Sequence, residues 1–209
     1  MSLNKLQGLY AITDTALIGG DKLLPAVAAA LWGGARLVQY RDKTASQATR
    51  LQEANNLRAL CHEHEARLII NDDIALAKAS GADGVHLGQD DATVEQARCL
   101  LGRNAIIGVS CYNDFTLAQT ANQEGADYIA FGSFFASNIK PGAPRAHTQL
   151  LVRAKQELSL PVCAIGGITP ANGEDLVNAG ADMLAVIHGL FNALDIEQAA
   201  QHYAALFAT

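Results

Sequence analysis

Eight short runs rich in Val, Ile, Leu and aromatic residues recur at roughly even intervals along the chain: LYAIT, ARLVQY, RLIIN, GVHLG, AIIGVS, DYIAFG, PVCAIGG and MLAVIHG. Between them lie Ala- and Leu-rich segments with helical spacing, among them Lys22 to Trp32, Ser46 to His64, Val94 to Leu101, Phe115 to Glu124 and Thr148 to Glu157. Runs this continuously apolar are buried on both faces, as parallel strands are, and the alternating rhythm of a half-wet antiparallel sheet is missing. With 209 residues, 50% of them hydrophobic, the chain can bury one sizeable core and is short for two. The spacing therefore predicts an α/β fold: a single-domain (β/α)₈ TIM barrel over residues 1–209. An open doubly wound sheet is the competing arrangement, and it would lack the even eightfold spacing.

Gly-Ala-Asp stands before three of these runs, at Gly81-Ala82-Asp83, Gly125-Ala126-Asp127 and Gly180-Ala181-Asp182, and Gly34-Ala35-Arg36 precedes a fourth. Each Gly can end a helix in the left-handed conformation and turn the chain into the next strand. That turn belongs to the bottom of a barrel and reads as structural. Function is expected at the opposite end, on the loops that follow the strands.

Charge narrows the partners. Fifteen Lys and Arg against 21 Asp and Glu leave −6, with no basic run interleaved with aromatics, so no nucleic-acid partner is expected. No stretch approaches the roughly 18 to 20 apolar residues of a membrane span, and MSLNKLQGLYAIT lacks the layout of a secretion signal. A cytoplasmic location with no membrane partner is the expectation, and a homo-oligomer is compatible with it. Cys61, Cys99, Cys111 and Cys163 are too scattered for a disulfide framework or a zinc site and read mostly as small core residues.

Polar groups concentrate where the predicted strands end. Gln39 and Arg41, two apart, share a strand face; with Lys43 they offer a neutral hydrogen-bonding head followed by two cations, suited to a polar ring carrying a phosphate or diphosphate. The next loops bring Asn71, Asp72 and Asp73, then Gln89, Asp90 and Asp91. Two carboxylates, Asp72 and Asp91, beside a phosphate cradle are what Mg²⁺ needs, since it keeps waters and takes substrate oxygens. The competing reading makes these acids helix caps, Asp72 or Asp73 before IALAKAS and Asp91 before TVEQARCL. Two acids on each of two consecutive loops exceed what capping requires.

Ser110 follows the fifth run and can donate to a diphosphate oxygen, or can be an ordinary turn serine. The longest loop, GSFFASNIKPGAPRAH, has the composition of a mobile lid and carries Lys140 as its cation. Gly166-Gly167 and Ile187-His188-Gly189 close the seventh and eighth runs, where backbone NH groups make the usual phosphate corner of such barrels. His62 and His64 are two apart on a helix and share no face, which argues against a metal site, and His86 reads as a satisfied barrel-interior residue.

In order and spacing, YAIT, QYRDK, IINDD, GVHLGQDD, IIGVS, the Lys-Pro loop and IGGI resemble the thiamine-phosphate synthase family over nearly the whole chain, with NDD and GQDD the most specific part. The resemblance implies that the pyrimidinylmethyl group passes from an aminomethylpyrimidine diphosphate to a thiazole phosphate, with Mg²⁺ as cofactor. It implies that Gln39, Arg41, Lys43 and Asn71 hold the pyrimidine diphosphate, that Asp72 and Asp91 bind Mg²⁺, and that Ser110 and Lys140 contact the diphosphate. Ser137, Asn138 and Ile139, with Gly167, Ile187 and His188, would receive the thiazole phosphate. The implied mechanism is largely dissociative: Mg²⁺, Arg41, Lys43 and Lys140 stabilise the departing diphosphate, and no side-chain nucleophile is required.

Two departures fall in the thiazole half. Many members carry Thr-x-Thr-Lys where this chain reads Ser137-Asn138-Ile139-Lys140, and Val-Ser-Ala where it reads Ile187-His188-Gly189. One hydroxyl is thereby replaced by an apolar side chain and a small donor by imidazole. Within the same fold the rival is a thiazole tautomerase, which needs no diphosphate-bound metal, and Asp90 and Asp91 speak against it. A noncatalytic phosphate-metabolite sensor is the rival from another class, but binding alone gains nothing from two carboxylates set beside a leaving group.

Overall fold

The computed structural model describes residues 6–136 and 145–208. Eight parallel strands close into a barrel in sequence order: β1 Gly8–Ile12, β2 Leu37–Tyr40, β3 Arg67–Asn71, β4 Gly84–Leu87, β5 Ile106–Tyr112, β6 Tyr128–Gly132, β7 Val162–Ile165 and β8 Met183–Val186. The first strand pairs with the last, Gly8 opposite Met183 and Tyr10 opposite Ala185. The open doubly wound alternative is thereby excluded.

Helices α1 Thr15–Ile18, α2 Leu23–Trp32, α3 Gln47–Glu63, α4 Ile74–Ser80 and α5 Val94–Leu101 follow the first four strands, with a 3₁₀ turn at Gly20–Lys22 before α2. Helices α6 Phe115–Gln123, α7 Thr148–Glu157, α8 Pro170–Asn178, α9 His188–Phe191 and α10 Ile196–Ala205 follow the rest. The predicted spans at Val94–Leu101 and Thr148–Glu157 match to the residue. Among the described residues, no helix is long and apolar enough to cross a membrane.

Two cores result from the strand alternation. On β1, Leu9 and Ala11 join a core between strands and helices, whereas Tyr10 and Ile12 turn inward to a smaller core with Leu37, Ile69, Tyr128 and Met183. Each helix presents a narrow stripe to the outer core; on α3 it is Ala54, Leu57 and Cys61. Cys61, Cys111 and Cys163 are buried and reduced, and Cys99 is exposed.

The three Gly-Ala-Asp repeats perform one task three times. The Asp83, Asp127 and Asp182 carboxylates accept from the backbone NH of Leu68, Ile107 and Val162, each at 2.8 Å. Each acid also pairs with a cation: Asp83 with Arg67 at 3.0 Å, Asp127 with Arg98 at 2.7 Å, Asp182 with Lys155 at 2.9 Å. The glycines ahead of them have φ of +65°, +85° and +110°, a conformation that side chains other than Gly rarely adopt. Carboxylate and turn together lock each strand start to its neighbour, leaving the other end to chemistry.

Candidate active site

The carboxyl end of β2 is tied down by β1. Thr13 donates its NH to the Gln39 carbonyl at 2.9 Å and accepts the Arg41 NH on its hydroxyl at 2.9 Å. Gln39 is buried and points inward, and Arg41 lies partly exposed beyond the strand end. Between Arg41 and Lys43, Asp42 folds back to accept from the Thr44 NH, the Thr44 hydroxyl and the Ala45 NH at 2.7, 2.9 and 3.0 Å. Burial would raise its pKa, but these donors outweigh burial and hold it below the usual carboxylate range. With Asp42 thus occupied, Arg41 and Lys43 remain as the cations of this loop.

The helix caps are taken by other residues than the two candidate ligands. Asp73 caps α4, accepting from the Leu76 NH at 2.8 Å, and pairs with Arg50 at 2.8 Å. Thr93 caps α5 in a reciprocal pair with Gln96. Capping therefore does not account for Asp72 or Asp91. Asp72 has φ of +60°, a left-handed conformation that few residues besides Asn and Asp tolerate, and its NH donates to the His86 carbonyl at 2.8 Å. Its carboxylate meets the Lys43 ammonium at 3.1 Å.

Asp91 accepts from the Gly88 NH at 2.7 Å and lies within hydrogen-bonding reach of Asp72. Its pKa is raised, by burial first and then by the neighbouring Asp72 carboxylate, with the Gly88 NH and Lys43 opposing. Two acids that repel one another across a short gap form a donor set that a hard cation would relieve. Among the described residues, no cluster of three His, Cys, Asp or Glu forms a complete metal cage, so waters and substrate oxygens would complete any coordination.

Ser110 is inside a strand rather than after one. β5 runs on to Tyr112 because a bulge between Ser110 and Tyr112 lets the strand continue past it. Its hydroxyl contacts His86 Nε2 at 2.8 Å, and His86 Nδ1 contacts the Tyr128 hydroxyl at 2.8 Å. Burial lowers the His86 pKa to about 4, against a modest opposing pull from Asp91. The histidine is thus neutral at physiological pH and satisfied at both nitrogens, as expected of an interior residue.

After β7 the glycine pair has a structural task. Gly166 and Gly167 have φ of +107° and +63°. A Cβ on Gly166 would lie 2.0 Å from Ser133 Oγ, and one on Gly167 2.5 Å from the Ala136 carbonyl oxygen. The NH groups of Phe134 and Phe135 donate to the carbonyls of Ile165 and Gly166 at 3.1 and 3.0 Å. The pair therefore seats the segment leading into the longest loop. Next door, β8 passes through Ile187 into α9, which begins at the exposed His188. Ser137, Asn138, Ile139 and Lys140 lie outside the described residues.

A cavity of about 600 Å³ opens at the other end of the barrel, against Leu6, Gly8, Arg36, Leu37, Arg67 and Phe207. Size misleads here, because barrels of this type carry their chemistry at the carboxyl end. A smaller cavity of about 170 Å³ does reach the site, touching Gly88, Asp91, Val109 and Ser110.

The family described as Thiamine monophosphate synthase matches residues 9–190. The chain belongs to the thiamine monophosphate synthase family. It is 53% identical over 212 residues to a thiamine-phosphate synthase of Alcanivorax borkumensis, covering 100% of this chain and 98% of the relative. Its identity to a thiamine-phosphate synthase of Marinobacter nauticus is 54% over 203 residues, 96% of this chain and 91% of the relative. A solved structure, thiamine phosphate pyrophosphorylase from Pyrococcus furiosus, superposes with TM-score 0.88 at 33% identity, over 98% of this chain and 97% of that one.

Membership of the thiamine monophosphate synthase family makes the chain a transferase of thiamine biosynthesis. Gln39, Arg41, Lys43, Asn71, Asp72, Asp91 and Ser110 gather at the carboxyl ends of β2 to β5, and Gly167, Ile187 and His188 at those of β7 and β8. Sequence reasoning passed over Thr13, which positions both Gln39 and Arg41, and the interior tyrosines Tyr10 and Tyr128. It also passed over Tyr112, whose ring is 41% exposed beside the Gly88 loop. Its only signal was an aromatic side chain just past a strand expected to end at Ser110.

Proposed function

We propose that this chain is a single catalytic domain that transfers the 4-amino-2-methylpyrimidin-5-ylmethyl group from its diphosphate to thiazole phosphate, releasing thiamine phosphate and diphosphate. The observation that carries this reading is the pair Asp72 and Asp91, free of capping duty and set against each other beside Lys43. Mg²⁺ held by these two carboxylates would neutralise charge on the diphosphate.

The chain's own groups supply the rest. Gln39 and Asn71 orient the pyrimidine, while Arg41, Lys43 and Ser110, with Lys140 from the long loop, receive the negative charge that develops on the leaving diphosphate. The C–O bond to the diphosphate breaks first, its electron pair leaving with oxygen, and the electron-rich aminopyrimidine supports the cation left on the methylene carbon. The thiazole nitrogen lone pair then forms the new C–N bond. Neither step needs a side-chain nucleophile or base, in keeping with a site of cations, amides and hydroxyls whose two carboxylates are assigned to Mg²⁺. Gly167, Ile187 and His188, with Ser137, Asn138 and Ile139, hold the thiazole phosphate. The partners are small molecules, and a cytoplasmic location suits phosphorylated substrates.

The test incubates the purified chain with both substrates and follows thiamine phosphate and diphosphate while Mg²⁺ is titrated. Asp72→Ala is expected to lower turnover by about a hundredfold, of the order of other losses of transition-state charge stabilisation. An Asp72→Ala rate equal to that of the parent chain at limiting Mg²⁺ would sink the metal assignment.

A further inference from the structure

Five side chains from five strands form one hydrogen-bonded line across the barrel. The Gln39 amide nitrogen donates to the Tyr10 hydroxyl at 2.8 Å, and the Tyr10 and Tyr128 hydroxyls meet at 2.8 Å. The Tyr128 hydroxyl meets His86 Nδ1 and His86 Nε2 meets the Ser110 hydroxyl, each again at 2.8 Å. Gln39, Tyr10, Tyr128 and His86 are all buried, and Ser110 alone is partly open to the site. The line therefore runs from one proposed substrate contact to another through buried groups that, on the reading above, do not touch substrate.

Proton counting gives the line a direction. An amide nitrogen only donates, so Tyr10 accepts from Gln39 and its single proton goes on to Tyr128. Tyr128 then has one proton left, for His86 Nδ1. A ring nitrogen that accepts carries no proton, so the imidazole is neutral and its proton sits on Nε2, aimed at Ser110. Ser110 accepts that proton and keeps its own for a group in the site. The opposite polarity would make Tyr10 accept from both Gln39 and Tyr128 and leave its own buried proton without an acceptor. A line this buried has strong reason to stay fully satisfied, and each bond polarises the next.

Room for the line is built into the backbone. Gly108 lies opposite Tyr128 on neighbouring strands, and a Cβ at Gly108 would stand 2.0 Å from Tyr128 Cζ. The Tyr128 ring occupies the space that a side chain there would take. It stacks on His86, with ring centroids 5.5 Å apart, and meets Tyr10 edge-on at 6.0 Å.

We propose that Tyr10, Tyr128 and His86 are positioning residues forming a one-way relay that starts at Gln39, fixes the tautomer of His86 and presents Ser110 as a hydrogen-bond donor to the leaving diphosphate. The role of Ser110 rests on the function proposed above; the direction of the relay does not.

The experiment therefore has two arms. In the first, long-range ¹⁵N–¹H NMR on the full chain without substrate reads the His86 tautomer, with the signal assigned by its loss in His86→Gln. The Nε2–H tautomer is expected, and an Nδ1–H tautomer overturns the relay whatever the protein catalyses. In the second arm, Tyr128→Phe keeps the ring and cuts the line, and Tyr10→Phe cuts it one link earlier. Each is expected to lower kcat about tenfold, the scale of one hydrogen bond to a charged group, without changing KM for the thiazole phosphate. Ser110→Ala added to Tyr128→Phe is expected to cause no further loss; fully additive losses overturn the relay. A parent chain that shows the Nε2–H tautomer but makes no thiamine phosphate refutes the proposed function and leaves the relay standing.

Discussion

Gly108 illustrates how a single position can serve a site that it does not touch. Its missing side chain is where the Tyr128 ring sits, so Gly108→Ala forces the ring or the strand to move. Overpacking of this kind costs about 1–3 kcal/mol, and a lower midpoint in thermal melting, accompanied by reduced turnover, is the expected result. Residue chemistry alone reached Asp72 and Asp91 by arguing that four acids are more than two helix caps require. The structure sharpens that argument, because Asp73 and Thr93 are the caps, which leaves Asp72 and Asp91, along with Asp90, free of capping duty. The interior relay was not legible in this way. Tyr10, His86 and Tyr128 are far apart in sequence, and their contact depends on the barrel's register, which apolar periodicity does not encode.

At the level of elements, the repeated Gly-Ala-Asp turn acts as a unit of construction. Asp127→Ala leaves the Ile107 NH without its acceptor and Arg98 without its partner. An unsatisfied buried NH costs about 1–3 kcal/mol; urea unfolding should register that loss while kcat stays at the parent value. All eight strands were legible because each is apolar on both faces. What escaped was local irregularity: α1 and α9, each four residues long, and the bulge that carries β5 past Ser110 to Tyr112. Elements of a single turn hold too little periodicity to be seen, and a bulge is decided by how two strands meet.

Stability against pH is a property of the whole molecule, and the buried histidine gives it a definite sign. Unfolded, His86 has the ordinary pKa of 6.5; folded, burial lowers it to about 4. The unfolded chain therefore binds more protons between these values, so the stabilisation is complete above pH 6.5 and is lost as pH falls toward 4. The slope from this group is at most about 1.4 kcal/mol per pH unit. Urea midpoints measured across that window should fall more steeply for the parent chain than for His86→Gln. Closure of the barrel carries a different consequence. Because β1 bonds to β8, its outer edge has no partner until the last strand has been made. Any sheet formed before β8 is available would have two raw edges, the arrangement most exposed to wrong pairing with a neighbour. The mature ring, having no edge at all, is safe from the hazard that its own assembly must pass through.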